Sequence, residues 1–109
     1  MKIFRYLEAS VAEPVTGVKR RMIACGDSSQ IIEYFLPKGA IFPLHKHPQE
    51  QTGFVAEGIL RMIIGGEEYV LTKGDGYFIA PNVEHSTVAL EDCINIDVFS
   101  PPRQEYKDR

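Results

Sequence analysis

An all-β domain is what this sequence predicts, on three observations. Eight short runs rich in β-branched and aromatic residues follow one another along the chain, each bounded by turn formers. No window longer than ten residues carries apolar side chains at i, i+3, i+4 and i+7 without an interrupting Gly or Pro, so no amphipathic helix competes with the strands. With 109 residues there is room for a single domain and no more, which excludes two-domain cofactor enzymes and large α/β barrels.

The first two expected strands span 19–24 and 31–36. The first contains the basic run Lys19-Arg20-Arg21 among apolar neighbours, which reads as a solvated strand face or as a patch for an anionic ligand. Next come 53–57 and 59–64. The latter turns into 67–72 through Gly65-Gly66, a two-residue loop in which both positions tolerate the positive φ of a tight hairpin. Lys73-Gly74-Asp75-Gly76 reverses the chain into 77–80, and Pro81-Asn82 turns it into 85–90, Asn entering the left-handed region more easily than most residues. In the last strand, 94–99, Cys93, Asn95, Asp97 and Phe99 share one face while Ile94, Ile96 and Val98 share the other. If the polar row lines a cavity, the aliphatic row needs an outer cover, either the N-terminal strand or a second subunit, and a homodimer is expected. Strands of this length and number close best into a small barrel or a two-sheet jelly roll. The expected organisation is one domain over 1–109, with 100–109 as a Pro-rich C-terminal tail.

Composition narrows the function. A net charge of −3 lacks the basic excess of a nucleic-acid binder. No apolar stretch approaches the roughly 20 residues of a membrane helix, and charges break the first residues too soon for a signal peptide, so a cytoplasmic location is expected. Cys25 and Cys93 are too few and too far apart for a disulfide framework or a CxxC metal site, and read as small buried thiols.

The three histidines carry the chemistry. His45 and His47, at i and i+2, share a face if extended and stand about 6.5 Å apart along the strand, a spacing from which two imidazoles can lean onto one ion. His85 begins a later strand after a tight turn. The order around the pair is Gly39, five residues, His45, Lys46, His47, three residues, Gln51, six residues, Gly58. Later come Gly74, five residues, Ala80, one residue, Asn82, two residues, His85. These blocks closely resemble the two signature motifs of the cupin superfamily, G-x5-H-x-H-x3-E-x6-G and G-x5-P-x-G-x2-H-x3-N. The resemblance implies a double-stranded β-helix, or jelly-roll, barrel with a divalent metal inside, held by His45, His47, Gln51 and His85.

Four positions depart from the motifs: Gln51 stands in place of Glu, Ala80 and Asn82 in place of Pro and Gly, and Ala89 in place of Asn. Pro81 and a turn-forming Asn82 offset the middle pair. Gln51 matters more, because a His-His-Gln-His set is neutral and leaves a cation its full charge, making it a stronger Lewis acid. Glu50 is the competing ligand, ranked second because period two points it away from Gln51. Imidazole suits several first-row ions, so Ni, Zn, Mn and Fe all remain open.

After the barrel comes Asp97-Val98-Phe99-Ser100-Pro101-Pro102-Arg103, in which two prolines restrict the chain before Arg103. From composition alone this is an exposed tail. H-x-H-x2-E-Q with a downstream D-x-F-x3-R, however, resembles small single-domain cupins of the pectin-degradation type, which convert 4,5-unsaturated uronates to linear keto sugars. The resemblance gives Asp97 the proton transfer, Arg103 the substrate carboxylate and Phe99 the sugar face. Tyr34, Phe54, Met62 and Tyr77 are further cavity-lining candidates, with core packing the competing role. The expected function is thus a metal-dependent isomerase acting on a small carboxylate. The alternatives are a three-histidine iron(II) dioxygenase and a non-catalytic binding module.

Overall fold

All eight expected runs are strands in the computed structural model, which describes residues 1–107, and two further strands join them. In chain order they are β1 (Ala12–Val15), β2 (Val18–Cys25), β3 (Gln30–Leu36), β4 (Ile41–His45), β5 (Glu50–Glu57), β6 (Ile59–Ile64), β7 (Glu67–Thr72), β8 (Gly76–Ile79), β9 (His85–Ala89) and β10 (Cys93–Ser100). Short 3-10 turns lie at Tyr6–Glu8 and Gln104–Tyr106. The unexpected pair, β1 and β4, contain Pro14 and Pro43, and each is the outermost strand of its sheet. A proline cannot donate to a ladder, so it disguises a strand in the sequence yet is tolerated at an edge.

The strands form two antiparallel sheets, a six-stranded one in the order β1-β2-β3-β10-β5-β8 and a four-stranded one in the order β4-β9-β6-β7, in a jelly-roll arrangement. The chain passes from one sheet to the other between β3 and β4, and returns between β4 and β5. Gly65 and Gly66 take φ of 57° and 85° in the β6–β7 hairpin, where Ile64 pairs Glu67, and Asn82 takes φ of 63°. Among the described residues no helix is long and apolar enough to cross a membrane.

Period-two alternation places the interior. Along β3 and β10 every second residue is buried, so Gln30, Ile32, Tyr34 and Leu36 line up inward beside Cys93, Asn95, Asp97 and Phe99. Val55, Leu60, Met62 and Ile79 belong to the same buried cluster. Leu60 is fully buried, and its truncation to Ala carries the usual cost of roughly 2–5 kcal/mol for an emptied core site. Phe54 is a correction: Gln51, Gly53 and Val55 turn inward along β5, so Phe54 faces out, 45% exposed, beside its cross-strand partner Ile96. Cys93 is buried, whereas Cys25 is only partly so.

The outer face of the large sheet is covered unevenly. Tyr6 reaches it from the N-terminal turn, its hydroxyl donating to Glu33 at 2.7 Å and its ring lying 5.0 Å from the Arg21 guanidinium. Among the described residues, the side carrying Phe54 and Phe78, the latter 58% exposed, has no such cover. The basic run on β2 is not a plain solvated face: Lys19 pairs Glu13, Arg21 pairs Glu33, and Arg20 stacks 3.9 Å from the Tyr106 ring centre. Beyond β10 the chain does not trail away, since Pro102 and Tyr106 are buried. Asp108 and Arg109, the end of the expected 100–109 tail, lie outside the described residues.

Candidate functional site

Register and one short loop bring the histidines together. His45 ends β4 directly opposite His85, the first residue of β9, and His47 follows in the loop that carries the chain to β5. Their ring centres lie 4.2 Å (His45–His85), 5.1 Å (His47–His85) and 5.8 Å (His45–His47) apart. One ring nitrogen from each falls within 4.8 Å of the others. Each ring is steered locally: Nδ1 of His45, His47 and His85 lies 2.8, 3.0 and 2.9 Å from the carbonyl oxygens of Pro43, Gln49 and Val83, in each case two residues away. A carbonyl only accepts, so Nδ1 is the protonated nitrogen of all three rings and the Nε2 lone pairs are left to converge.

Two observations fit this convergence to a cation. His85 Nε2 is buried with no hydrogen-bond partner, a cost that metal ligation removes. Gln51 Oε1 lies 3.0 Å from His47 Nε2. With Nδ1 already donating, both atoms facing one another are acceptors. That separation is also about the distance between two neighbouring ligands bound at 2.0–2.1 Å to one ion. Burial, followed by the Arg103 charge, lowers the His47 pKa, and burial lowers that of His85 to about 4, so both are neutral at neutral pH with lone pairs available. His45, His47, His85 and Gln51 therefore suit a first-row divalent ion. Glu50 is exposed on the outer face and does not approach the cluster.

Across the cavity, on the six-stranded sheet, stands an acid. Asp97 is buried, 3% exposed, and desolvation raises its pKa from 3.8 to about 6 against the opposing help of Tyr77 and Gln51. The Tyr77 hydroxyl donates to Asp97 Oδ1, and Asn95 Nδ2 donates to that hydroxyl at 2.6 Å. Burial holds the Tyr77 phenol well above its ordinary pKa, so it stays protonated. Asp97, Tyr77, Phe99, Arg103, His45, His85 and Gln51 all line one cavity, with Tyr34 and Met62.

Arg103 reaches that cavity from the chain beyond β10. Gln30, buried on β3, holds its backbone on both sides: the Arg103 N–H donates to Gln30 Oε1 at 3.1 Å, and Gln30 Nε2 donates to the Arg103 carbonyl at 3.3 Å. The guanidinium lies 4.4 Å from the Tyr106 ring centre and 5.5 Å from that of Phe99, and pairs with Glu105 at 2.7 Å. Phe99 in turn meets the His47 ring edge-on at 5.4 Å, linking the arginine to the histidines.

Comparison with known proteins agrees with this geometry. The cupin domain family matches residues 32–99, most of the chain. The protein belongs to the cupin family. This cupin is 37% identical over 92 residues to the pectin degradation protein KdgF of Dickeya dadantii, an alignment covering 83% of this chain and 84% of that protein. Among solved structures, KdgF from a Halomonas species superposes with a TM-score of 0.89 at 28% identity, covering 96% of this chain and 97% of its own. An RmlC-like cupin from Shewanella frigidimarina gives a TM-score of 0.90 at 29% identity, covering 97% and 96%.

Of the residues expected as metal ligands, catalytic or substrate-binding groups or cavity lining, all but Glu50 and Phe54 gather around this cupin's cavity. Tyr77, a candidate for the cavity lining or for core packing, lines the cavity, and its hydroxyl on Asp97 makes it part of the polar site as well. Asn95, Gln30 and Tyr106 were not singled out for the site. Asn95 was visible beside Asp97 on the inward row of β10. Gln30 and Tyr106 act through pairings that spacing along the chain does not reveal.

Proposed function

We propose that this protein is a metal-dependent isomerase of a small sugar acid, opening a 4,5-unsaturated uronate to its linear keto form. The observation that carries the reading is a buried carboxylic acid, Asp97, in one cavity with three converging imidazoles and a fastened arginine. The 37% identity to KdgF supports the choice of substrate class. His45, His47, Gln51 and His85 hold the ion, and when bound it supplies Lewis-acid stabilisation of negative charge developing on a substrate oxygen.

The remaining work falls to the chain's own side chains. Ring opening and tautomerisation of such a uronate is a net isomerisation, in which a proton leaves a hydroxyl and one arrives at carbon. Asp97, with a pKa raised to about 6, is matched to both halves of that transfer near neutral pH. The Arg103 guanidinium presents its fork to the substrate carboxylate, which takes the place of the exposed Glu105. Phe99 and Tyr34 exclude water along the cavity wall. The free thiols of Cys25 and Cys93 accord with a cytoplasmic setting. We also propose a homodimer in which the second copy covers Phe54, Phe78 and the outer row of β10.

Protein purified without an affinity tag is assayed by NMR against unsaturated galacturonate and guluronate, with metal content measured alongside. Asp97→Asn is expected to lower turnover by roughly 100-fold or more, the usual contribution of a positioned proton carrier, with the metal retained. Undiminished turnover removes the assignment. Activity that persists without oxygen separates the isomerase from an iron(II) dioxygenase.

A further inference from the structure

We propose that Tyr77 is a positioning residue for Asp97, its hydroxyl meeting the carboxylate over the bare backbone of Gly53 and fixing which carboxylate oxygen faces the substrate. The inference rests on Asp97 being the proton carrier, and adds what aims it.

The register sets up the contact. Gly53 on β5 is the cross-strand partner of both Tyr77 on β8 and Asp97 on β10, so the three residues form one row across three strands with glycine in the middle. Neighbouring strands lie about 4.8 Å apart, which puts the outer two backbones roughly 10 Å from each other. Two side chains can close that gap only over the residue between them. A Cβ on Gly53 would collide with Asp97 Oδ1, the Tyr77 hydroxyl and the Ile96 carbonyl oxygen. Glycine is therefore required here for close approach, and its φ is not in the left-handed region.

The hydroxyl's direction is also determined. A phenol has one proton to give, and Asn95 Nδ2 donates to the Tyr77 oxygen at 2.6 Å, so the proton turns toward Asp97 Oδ1. Oδ1 is thereby engaged. Oδ2 lies 3.4 Å from Asn95 Nδ2, a longer contact, and Gln51 also hydrogen-bonds this carboxylate. Asn95 orients Tyr77, Tyr77 orients Asp97, and Gly53 makes room for both.

The test uses Tyr77→Phe, which keeps the ring and removes the oxygen, with Gly53→Ala as a second variant that keeps the oxygen and wedges the pair apart. Both are expected to lower kcat on the unsaturated uronate roughly 10- to 100-fold, the range for losing a hydrogen bond to a charged group, with KM and metal content unchanged. A crystal structure of Tyr77→Phe is expected to show the Asp97 carboxylate turned from its wild-type plane. An unchanged kcat in Tyr77→Phe, or a carboxylate that does not turn, overturns the proposal. Should the wild-type protein leave both uronates untouched, the substrate assignment falls by itself, and the crystallographic result decides the role of Tyr77.

Discussion

Asp97 illustrates how a single buried group ties chemistry to stability. An acid whose pKa rises from 3.8 to about 6 on folding holds its proton more tightly in the native state. Its contribution to stability is fully present below pH 3.8 and is lost as pH climbs through 6. The whole effect is on the order of 3 kcal/mol at most. In chelator-treated protein, wild type is therefore expected to lose stability relative to Asp97→Asn between those two pH values, and the difference to level off below and above them. Thermal unfolding followed by circular dichroism across the pH range checks both. His85 shows the opposite sign, its pKa lowered to about 4 by burial, and its unpartnered Nε2 makes it the imidazole with most to gain from an ion. Replacing His85 with Ala is expected to eliminate bound metal, measured by mass spectrometry of the elements, with the far-ultraviolet dichroism of the strands retained.

Strands and turns were legible wherever local chemistry announces them. The glycine pair of the β6–β7 hairpin and the alternation of β10 could be read directly, because two-residue loops and period two are local properties. Edge strands β1 and β4 were not legible, since Pro14 and Pro43 carry the mark of a non-strand. The candidate site divides similarly. His45 and His47 announced themselves by spacing, whereas Tyr77, Gly53 and Asp97 become neighbours only through the register of three strands drawn from distant stretches. Gln30 belongs to that second class, fastening the Arg103 segment to β3 from 73 residues away. Gln30→Ala is expected to raise KM for the uronate roughly 10-fold through loss of two hydrogen bonds, with kcat little changed. Steady-state kinetics separates this from Tyr77→Phe, which moves kcat alone.

The molecule as a whole puts its unlike groups on opposite layers. His45 and His85 belong to the four-stranded sheet, Gln51 and Asp97 to the six-stranded one, and His47 to the loop that joins them. An ion held by both layers would link them and, binding the folded chain alone, would stabilise it by mass action. Chelation is expected to lower the melting temperature, and restoring the metal to recover it, in differential scanning calorimetry. On the outside, Phe54 and Phe78 remain bare where Tyr6 does not reach. Light scattering is expected to give twice the 12.3 kDa of one chain, and Phe54→Glu to return the mass of a monomer. The two-layer arrangement also bears on how such a protein diversifies. Imidazoles anchored to carbonyls within their own short segments take their aim locally, even where His47 also meets Phe99 and Gln51 of the facing wall. A lineage can therefore rewrite the opposite wall, and with it the molecule it recognises, while inheriting the nitrogen cluster intact.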